Sequence, residues 1–180
     1  MKKQFFCLLV FLIVCPNESK ATMVQWKVED GGNDHFYETI VVTEGITWTD
    51  AKEAAELSGG YLATITSQEE QNFIKEYILY GGSGYWIGGY QPPESPEPDG
   101  NWQWVTGEEF IYSHWCGGEP SNSGNNEDSI VMWASDLIRG SWNDAPASYP
   151  FNGYVLEIPE PATLLLLGLG GLAVVRKRRA

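Results

Sequence analysis

The chain has 180 residues, and its 24 Asp and Glu against 11 Lys and Arg give a net charge of −13. This length predicts one modest domain, and the 13% aromatic and 43% hydrophobic content argues against a disordered chain. An acidic surface repels phosphate backbones, so we expect no nucleic-acid partner.

The N-terminus has the pattern of a signal peptide over residues 1–21. Two lysines precede an apolar run over residues 5–14, which is too short to span about 30 Å of hydrocarbon as a helix. Residues 19–21 carry the small side chains of an A-x-A-like cleavage site, so we expect export. Lipidation of Cys15 is an open alternative, although Val14 stands where a lipoprotein box has a small residue.

The exported part, residues 22–158, is strongly acidic and poor in cysteine. It has four basic residues against 22 acidic ones, a net charge of −18 that bound divalent cations would relieve. Its one cysteine, Cys116, cannot pair within the chain, so a buried thiol and an intermolecular link both stay open. The fold must therefore stand without an internal disulfide.

Two helices are predicted before a series of strands. A β-branched segment at residues 38–43 indicates a strand, and Thr47 begins a helix that ends at Gly59-Gly60. A second helix is predicted over residues 67–80, again with a capping Ser and a Glu three residues later. Further short strands are predicted at residues 85–88, 102–105, 130–133 and 154–156. This order indicates the α+β class.

Carboxylate, amide and hydroxyl side chains dominate residues 119–128, and Asn143 and Asp144 add two more oxygen donors. Calcium takes six to eight oxygen ligands, and such loops can supply them. With only two His in the chain, zinc is disfavoured. The loop therefore predicts a Ca²⁺ site, although a solvated turn of the same composition is the alternative.

Ordered sequence blocks across most of residues 38–158 resemble a C-type lectin domain. The blocks are Trp48-x-Asp50-Ala51, Gly59-Gly60-Tyr61-Leu62-Ala63, Glu69-Glu70, Trp86-Ile87-Gly88, Trp102-x-Trp104, Trp115-x-x-Gly118-Glu119-Pro120, Glu127-Asp128, Trp142-Asn143-Asp144 and Tyr154-Val155-Leu156-Glu157. The resemblance implies two helices, a mixed sheet whose ends adjoin, and a long loop region with the ligand site. The family's four cysteines would fall near Ala55, Ser129, residues 145–148 and Leu156, and none is Cys here.

The resemblance also implies the ligand set. Calcium would be held by Glu119, Ser121, Glu127, Asn143 and Asp144, with Ser121 where the family has an amide or acid. Sugar hydroxyls would contact the calcium and Glu119, Ser121, Asn122, Glu127 and Asn143, while an auxiliary calcium site would use Asn122 and Asp128. Glu119-Pro120 would have a cis peptide bond. Glu-Pro rather than Gln-Pro favours mannose-, glucose- or fucose-like ligands, and Ser121 weakens that preference.

The C-terminal residues 159–180 combine Pro159-Glu160-Pro161, an uncharged apolar run over residues 162–175 and a basic cluster over residues 176–179. As a helix the run is about 21 Å long, short for a membrane span. The segment resembles the PEP-CTERM sorting signal of Gram-negative bacteria. That implies transient anchoring in the inner membrane, processing by an exosortase-type protease, and delivery to the surface or an exopolysaccharide matrix. A plain tail anchor is the alternative.

Together these features predict a calcium-dependent carbohydrate-binding (lectin) module at the bacterial surface, with a polysaccharide or other glycan as partner. The alternative is a lectin-like domain that binds protein or serves matrix architecture without sugar. We expect no enzymatic activity, because carboxylates alone do not indicate catalysis and no Ser-His or Cys-His pair stands in a recognisable setting.

Overall fold

The computed structural model of the protein describes residues 23–160. The predicted signal peptide, Cys15 and all but the first two residues of the predicted sorting segment lie outside this range. Within it, no helix has the length and apolar character that a membrane crossing requires.

Over residues 23–160, two α-helices, a short 3-10 helix (Val28–Asp30) and one eight-stranded sheet make up the fold, as the α+β prediction requires. The strands are β1 (Val24–Gln25), β2 (Phe36–Ile46), β3 (Tyr61–Leu62), β4 (Gly84–Tyr90), β5 (Gln103–Trp104), β6 (Ser129–Trp133), β7 (Trp142–Ala145) and β8 (Phe151–Ile158). The helices are α1 (Trp48–Leu57) and α2 (Gln68–Phe73), and α2 runs on as a π-helical turn, Ile74–Ile78. The sheet order is β1-β2-β8-β4-β6-β7, with β3 beside β8 and β5 beside β4.

The two ends of the described chain adjoin through an antiparallel pairing of β2 with β8. Tyr37 lies opposite Glu157 in this ladder. At Gly153 the backbone of β8 has φ +151°, and an added Cβ would overlap the carbonyl oxygen of Ile40. Glycine is therefore required there, and it lets the last strand close the sheet onto the first long one.

Both helices begin where the capping pattern predicts. The Thr47 hydroxyl accepts a hydrogen bond from the Asp50 N–H at 3.2 Å, and the Ser67 hydroxyl accepts one from the Glu70 N–H at 3.1 Å. The second helix differs from the prediction after Phe73, because its last turn has π geometry. The N–H of Leu79 bonds to the carbonyl of Ile74, five residues earlier, and the chain then becomes extended.

The core consists of two packed clusters of aromatic and aliphatic side chains on the two sides of the sheet. Trp86, Trp104 and Trp142 are at most 1% exposed, so they are core residues. Trp115 is half-buried and packs against the rim of the first cluster. Cys116 is also half-buried and free, so a buried thiol and an intermolecular link both stay open.

Packing occupies the places where the family has cysteines. Ala55 and Leu156 are both buried in the second cluster. Ser129 and Ala145 are direct partners across β6 and β7. These positions are therefore held by apolar burial and strand pairing, without a covalent link.

Candidate functional site

The loop between β5 and β6 is fastened to β7 by backbone hydrogen bonds. The N–H of Trp142 donates to the His114 carbonyl at 2.8 Å, and the N–H of Cys116 donates to the Trp142 carbonyl at 2.8 Å. A parallel bridge joins Trp115 to Trp142 at the same place. This attachment brings Glu119 next to the strand that carries Asp144.

Asp144 is the residue around which the loop is organised. Its carboxylate is fully buried and accepts hydrogen bonds from the backbone N–H of Ser121 at 3.0 Å and of Asn122 at 2.6 Å. Hydrogen bonds from backbone N–H groups stabilise a carboxylate in its charged form. The loop over residues 119–128 and the segment Asn143-Asp144, which the sequence predicts to form the site, therefore meet at the Asp144 carboxylate.

Glu127 closes the loop from its other end. Its Oε2 accepts a hydrogen bond from the Ser123 N–H at 2.5 Å and lies 3.5 Å from the Ser121 hydroxyl. Its own N–H donates to the amide oxygen of Asn122 at 3.1 Å. The side-chain oxygen of Asn122 is thus engaged in holding the loop, in a residue whose φ of +44° is left-handed.

Glu119 has a carboxylate oxygen without a hydrogen-bond partner. Its Oε2 is buried and accepts no hydrogen bond from residues 23–160. A buried carboxylate oxygen without a donor costs free energy, and a hard cation would satisfy it. The Glu119–Pro120 bond is cis, as expected.

Negative charge accumulates here without compensation. Burial raises the pKa of Glu127 above its ordinary value, and the nearby carboxylates of Asp144 and Glu119 raise it further. Burial also raises the pKa of Glu97, with smaller contributions from Asp128 and Asp144. Within the described chain no Lys or Arg lies within 4.0 Å of any of these carboxylates. Oxygen donors with uncompensated negative charge are the kind of ligand that a divalent cation takes.

Two predicted site residues are placed differently from the others. The amide of Asn143 donates to the backbone carbonyl of its neighbour Asp144. Asp128 is exposed, and its backbone carbonyl accepts from the Gln91 N–H at 2.9 Å. Over residues 23–160, no group of three or more His, Cys, Asp or Glu side chains is arranged to hold a metal ion. The calcium ligand set therefore stays a prediction.

The sequence motifs do not identify Gln71, which holds the start of β7 through two hydrogen bonds. Gln71 is 1% exposed, accepts a hydrogen bond from the Trp142 indole and donates one to the Gly140 carbonyl. Its position three residues before the buried Ile74 places it on the inward face of α2. A glutamine three residues before an apolar helix position is the sequence signal that could have indicated this buried polar contact.

A buried polar cluster between the chain ends was also missed. The Tyr37 hydroxyl lies 2.7 Å from a Glu70 oxygen and 3.1 Å from a Glu157 oxygen. His35 Nδ1 lies 2.6 Å from the same Glu157 oxygen, and the Thr64 N–H donates to the other at 2.9 Å. Burial raises the pKa of Glu70 to about 7. This cluster joins β2, α2 and β8, and we assign it to the fold.

A surface groove also lies away from this site. It has a volume of about 660 Å³ between β1 and α2, and its lining includes Trp26, Phe73 and Tyr77. Trp26 and Phe73 stack with their ring centroids 5.6 Å apart. None of the predicted ligand residues lines this groove, so it plays no part in the site described above.

Comparison with known proteins agrees with the fold. The Lectin C-type domain model matches residues 44–154, and the PEP-CTERM protein-sorting motif matches residues 157–179. C-type lectin domain family 4 member G of Mus musculus is 32% identical over 132 residues, 73% of this chain and 41% of that protein. The chain thus spans less than half of that relative.

A shorter relative and a solved structure are similar over larger shares of their length. A perlucin-like protein of Mytilus galloprovincialis is 32% identical over 116 residues, 62% of this chain and 70% of that protein. The cow C-type carbohydrate-recognition domain of CD23, solved in the presence of a GlcNAc2Man3 oligosaccharide, has a TM-score of 0.60 and 28% identity. That likeness covers 71% of this chain and 89% of the domain.

Proposed function

Because the chain belongs to the C-type lectin domain family and carries a PEP-CTERM sorting motif, we propose that it is a calcium-dependent glycan-binding module. It is exported and sorted to the bacterial surface or exopolysaccharide matrix, after transient anchoring in the inner membrane and processing by an exosortase-type protease. It acts by binding rather than by catalysis.

The observation that carries this proposal is the buried Oε2 of Glu119, which has no donor among the described residues. Calcium would meet this oxygen together with Glu127 and Asp144, whose mutual repulsion it would relieve. Ser121 and Asn143 would complete the protein ligands, and the remaining places would be taken by two sugar hydroxyls. The bound ion supplies the charge that attracts those hydroxyl oxygens.

The protein's own polar groups would fix the orientation of the sugar. Charged carboxylates at Glu119 and Glu127 accept short hydrogen bonds from hydroxyls, and Asn122 and Asn143 carry amide donors beside them. Each such bond is worth about 1.5–3 kcal/mol where one partner is charged. The CD23 domain, solved in the presence of an oligosaccharide, supports a glycan ligand for this fold.

A lectin-like domain that binds protein or supports matrix architecture, without sugar, is the second candidate. Two observations favour it. The Ser121 side chain is shorter than the amide or acid expected there. Both carboxylate oxygens of Asp144 already accept backbone hydrogen bonds.

Thermal unfolding with calcium and with a chelator, followed by a glycan array, tests the proposal. We expect calcium to raise the melting temperature and the glycan signal to disappear with chelator. Glu119→Gln should abolish both effects, whereas the exposed Glu109→Gln is the matched control. Unchanged melting with calcium and no chelator-sensitive glycan signal would overturn the proposal.

A gain-of-function variant separates the two candidates. Ser121→Asn restores a longer carbonyl ligand, so calcium affinity should rise about tenfold for one added ligand worth about 1.4 kcal/mol. Calorimetric titration with calcium measures it. If neither the protein nor this variant binds calcium, the second candidate replaces the first.

A further inference from the structure

The four basic residues of residues 22–158 divide into two pairs with different surroundings. Lys27 forms an ion pair with Glu29 at 3.1 Å, and Lys52 forms one with Glu56 at 2.5 Å. In the described chain, Lys75 and Arg139 lie within 4.0 Å of no carboxylate. In a segment with 22 acidic residues, these two side chains keep a positive charge that no carboxylate of the described chain neutralises at contact.

These two cations line the same surface depression. The Lys75–Arg139 depression has a volume of about 460 Å³, and Trp115, Ser141 and the exposed acid Asp136 also line it. Lys75 comes from the π-helical turn after α2, and Arg139 comes from the turn between β6 and β7. Two elements distant in sequence thus converge on one small concave surface.

The fold holds both side chains in place by packing and by one backbone contact. The aliphatic stem of Lys75 packs on Gly140, where an added Cβ would meet Lys75 Cδ at 3.2 Å. Arg139 Nη2 donates to the carbonyl of Leu79, and its Nε is buried without an acceptor in residues 23–160. A guanidinium has five N–H donors; Nη2 is anchored and Nε is buried, so Nη1 is the group left to bind an anion.

The depression also adjoins the proposed sugar site. Ser141 directly precedes β7, in which Asp144 is the third residue. At a rise of about 3.3 Å per residue, three steps along the strand place their Cα atoms roughly 10 Å apart. Trp115, which lines the depression, is bridged to Trp142 of the same strand. One glycan of a few residues can therefore reach both.

We propose that the Lys75–Arg139 depression is an anion-binding subsite that makes an acidic polysaccharide the preferred ligand. This inference rests on the proposed function: calcium holds one sugar, and the carboxylate of a uronate further along the same chain binds Arg139 and Lys75. The Nη1 group of Arg139 would donate to that carboxylate, and the lysine ammonium would add a second charged donor.

The net charge of −18 opposes an acidic ligand at long range, but not at contact. At physiological ionic strength the screening length is about 8 Å, so most acidic groups of the surface are screened from the ligand. Contacts at hydrogen-bond distance are screened much less. Association should therefore quicken as salt is raised from low to physiological concentration, which is the reverse of steering by a basic surface.

The test compares two tetrasaccharides in the presence of calcium, one with a single glucuronate and one in which that carboxyl group is reduced to the neutral alcohol. The purified full chain should bind the acidic one about tenfold more tightly. The double variant Lys75→Gln/Arg139→Gln should lose this preference and bind the neutral one as before. The control Lys27→Gln/Lys52→Gln changes the net charge equally and should keep the preference.

Lys75→Gln and Glu119→Gln separate loss of the anion subsite from a disturbed fold and from loss of the calcium site. Lys75→Gln alone should reduce the preference even if loss of Arg139 disturbs the fold. Equal binding of both tetrasaccharides by the unaltered protein, or equal losses in the double variant and its control, overturns the subsite. If Glu119→Gln and chelator leave binding intact while the double variant loses the acidic preference, the calcium-dependent function fails and the subsite stands.

Discussion

The indole Nε1 of Trp142 donates a hydrogen bond to the side-chain oxygen of Gln71 at 2.9 Å, and both residues are buried. The Nε2 of Gln71 donates to the carbonyl of Gly140 at 2.8 Å. One side chain on α2 therefore holds the start of β7, the strand that carries Asn143 and Asp144. The candidate site is positioned by the helix behind it as well as by its own loop.

Replacement of Gln71 by Leu should destabilise the protein and loosen β7. The substitution leaves the Trp142 N–H and the Gly140 carbonyl without partners, at a cost of about 1–3 kcal/mol for each buried polar group. Urea unfolding measures the loss. The matched control is Gln68→Leu on the exposed face of the same helix, and an equal loss in both variants would contradict the role of Gln71.

Asp144→Asn should release the loop around Ser121. The amide keeps one oxygen and puts an N–H₂ group against a backbone N–H donor, so at least one hydrogen bond is lost. Faster amide hydrogen exchange at Ser121 and Asn122 is the expected result, with loss of any calcium-induced stabilisation. The exposed Asp136→Asn serves as control, and unchanged exchange at both amides would contradict the anchoring role.

Stability should fall as the pH rises from about 5 to 8. Burial raises the pKa of Glu70 to about 7, so the folded chain keeps a proton that the unfolded chain releases near 4.5. The hydrogen bond to Glu157 likewise raises the pKa of His35 above 6.5. Both contributions are complete at low pH and are lost as each folded-state pKa is passed.

The slope due to Glu70 should approach about 1.4 kcal/mol per pH unit between its unfolded and folded pKa values. Glu70→Gln keeps a neutral group beside Tyr37 and should flatten the dependence, whereas the exposed neighbour Glu69→Gln should not. Urea unfolding at several pH values measures this. A Glu70→Gln protein with the same pH dependence as the unaltered one would exclude Glu70 as its source.

A disulfide between β6 and β7 should stabilise the protein. Ser129 and Ala145 are direct antiparallel partners, and such pairs have Cα separations of about 4.5–5.5 Å, within the range a disulfide needs. Ser129→Cys/Ala145→Cys in a Cys116→Ser background closes a short hairpin loop, worth about 3 kcal/mol. Melting with and without reductant is the measurement, and an oxidised form that melts no higher would show strain at this pair.

The sequence determined the features that depend on near neighbours. Thr47 and Ser67 begin their helices because each hydroxyl reaches an N–H three residues later. β-branched and aromatic runs predict the positions of β2, β4, β5, β6 and β8, but not those of β1, β3 and β7. The ordered blocks around Glu119 and Trp142 are enough to indicate the family. The sequence predicts one regular helix over residues 67–80, because no local pattern distinguishes the π turn at Ile74–Ile78 from α-helix.

Only the tertiary structure decided which polar groups meet. The hydrogen bond from Ser121 to Asp144 spans 23 residues, the one from Trp142 to Gln71 spans 71, and the one from Tyr37 to Glu157 spans 120. Such pairings follow from how the sheet closes and which faces pack together. Local propensity carries no information on them, since it acts over a few residues, whereas burial of the whole chain selects one partner for each buried polar atom.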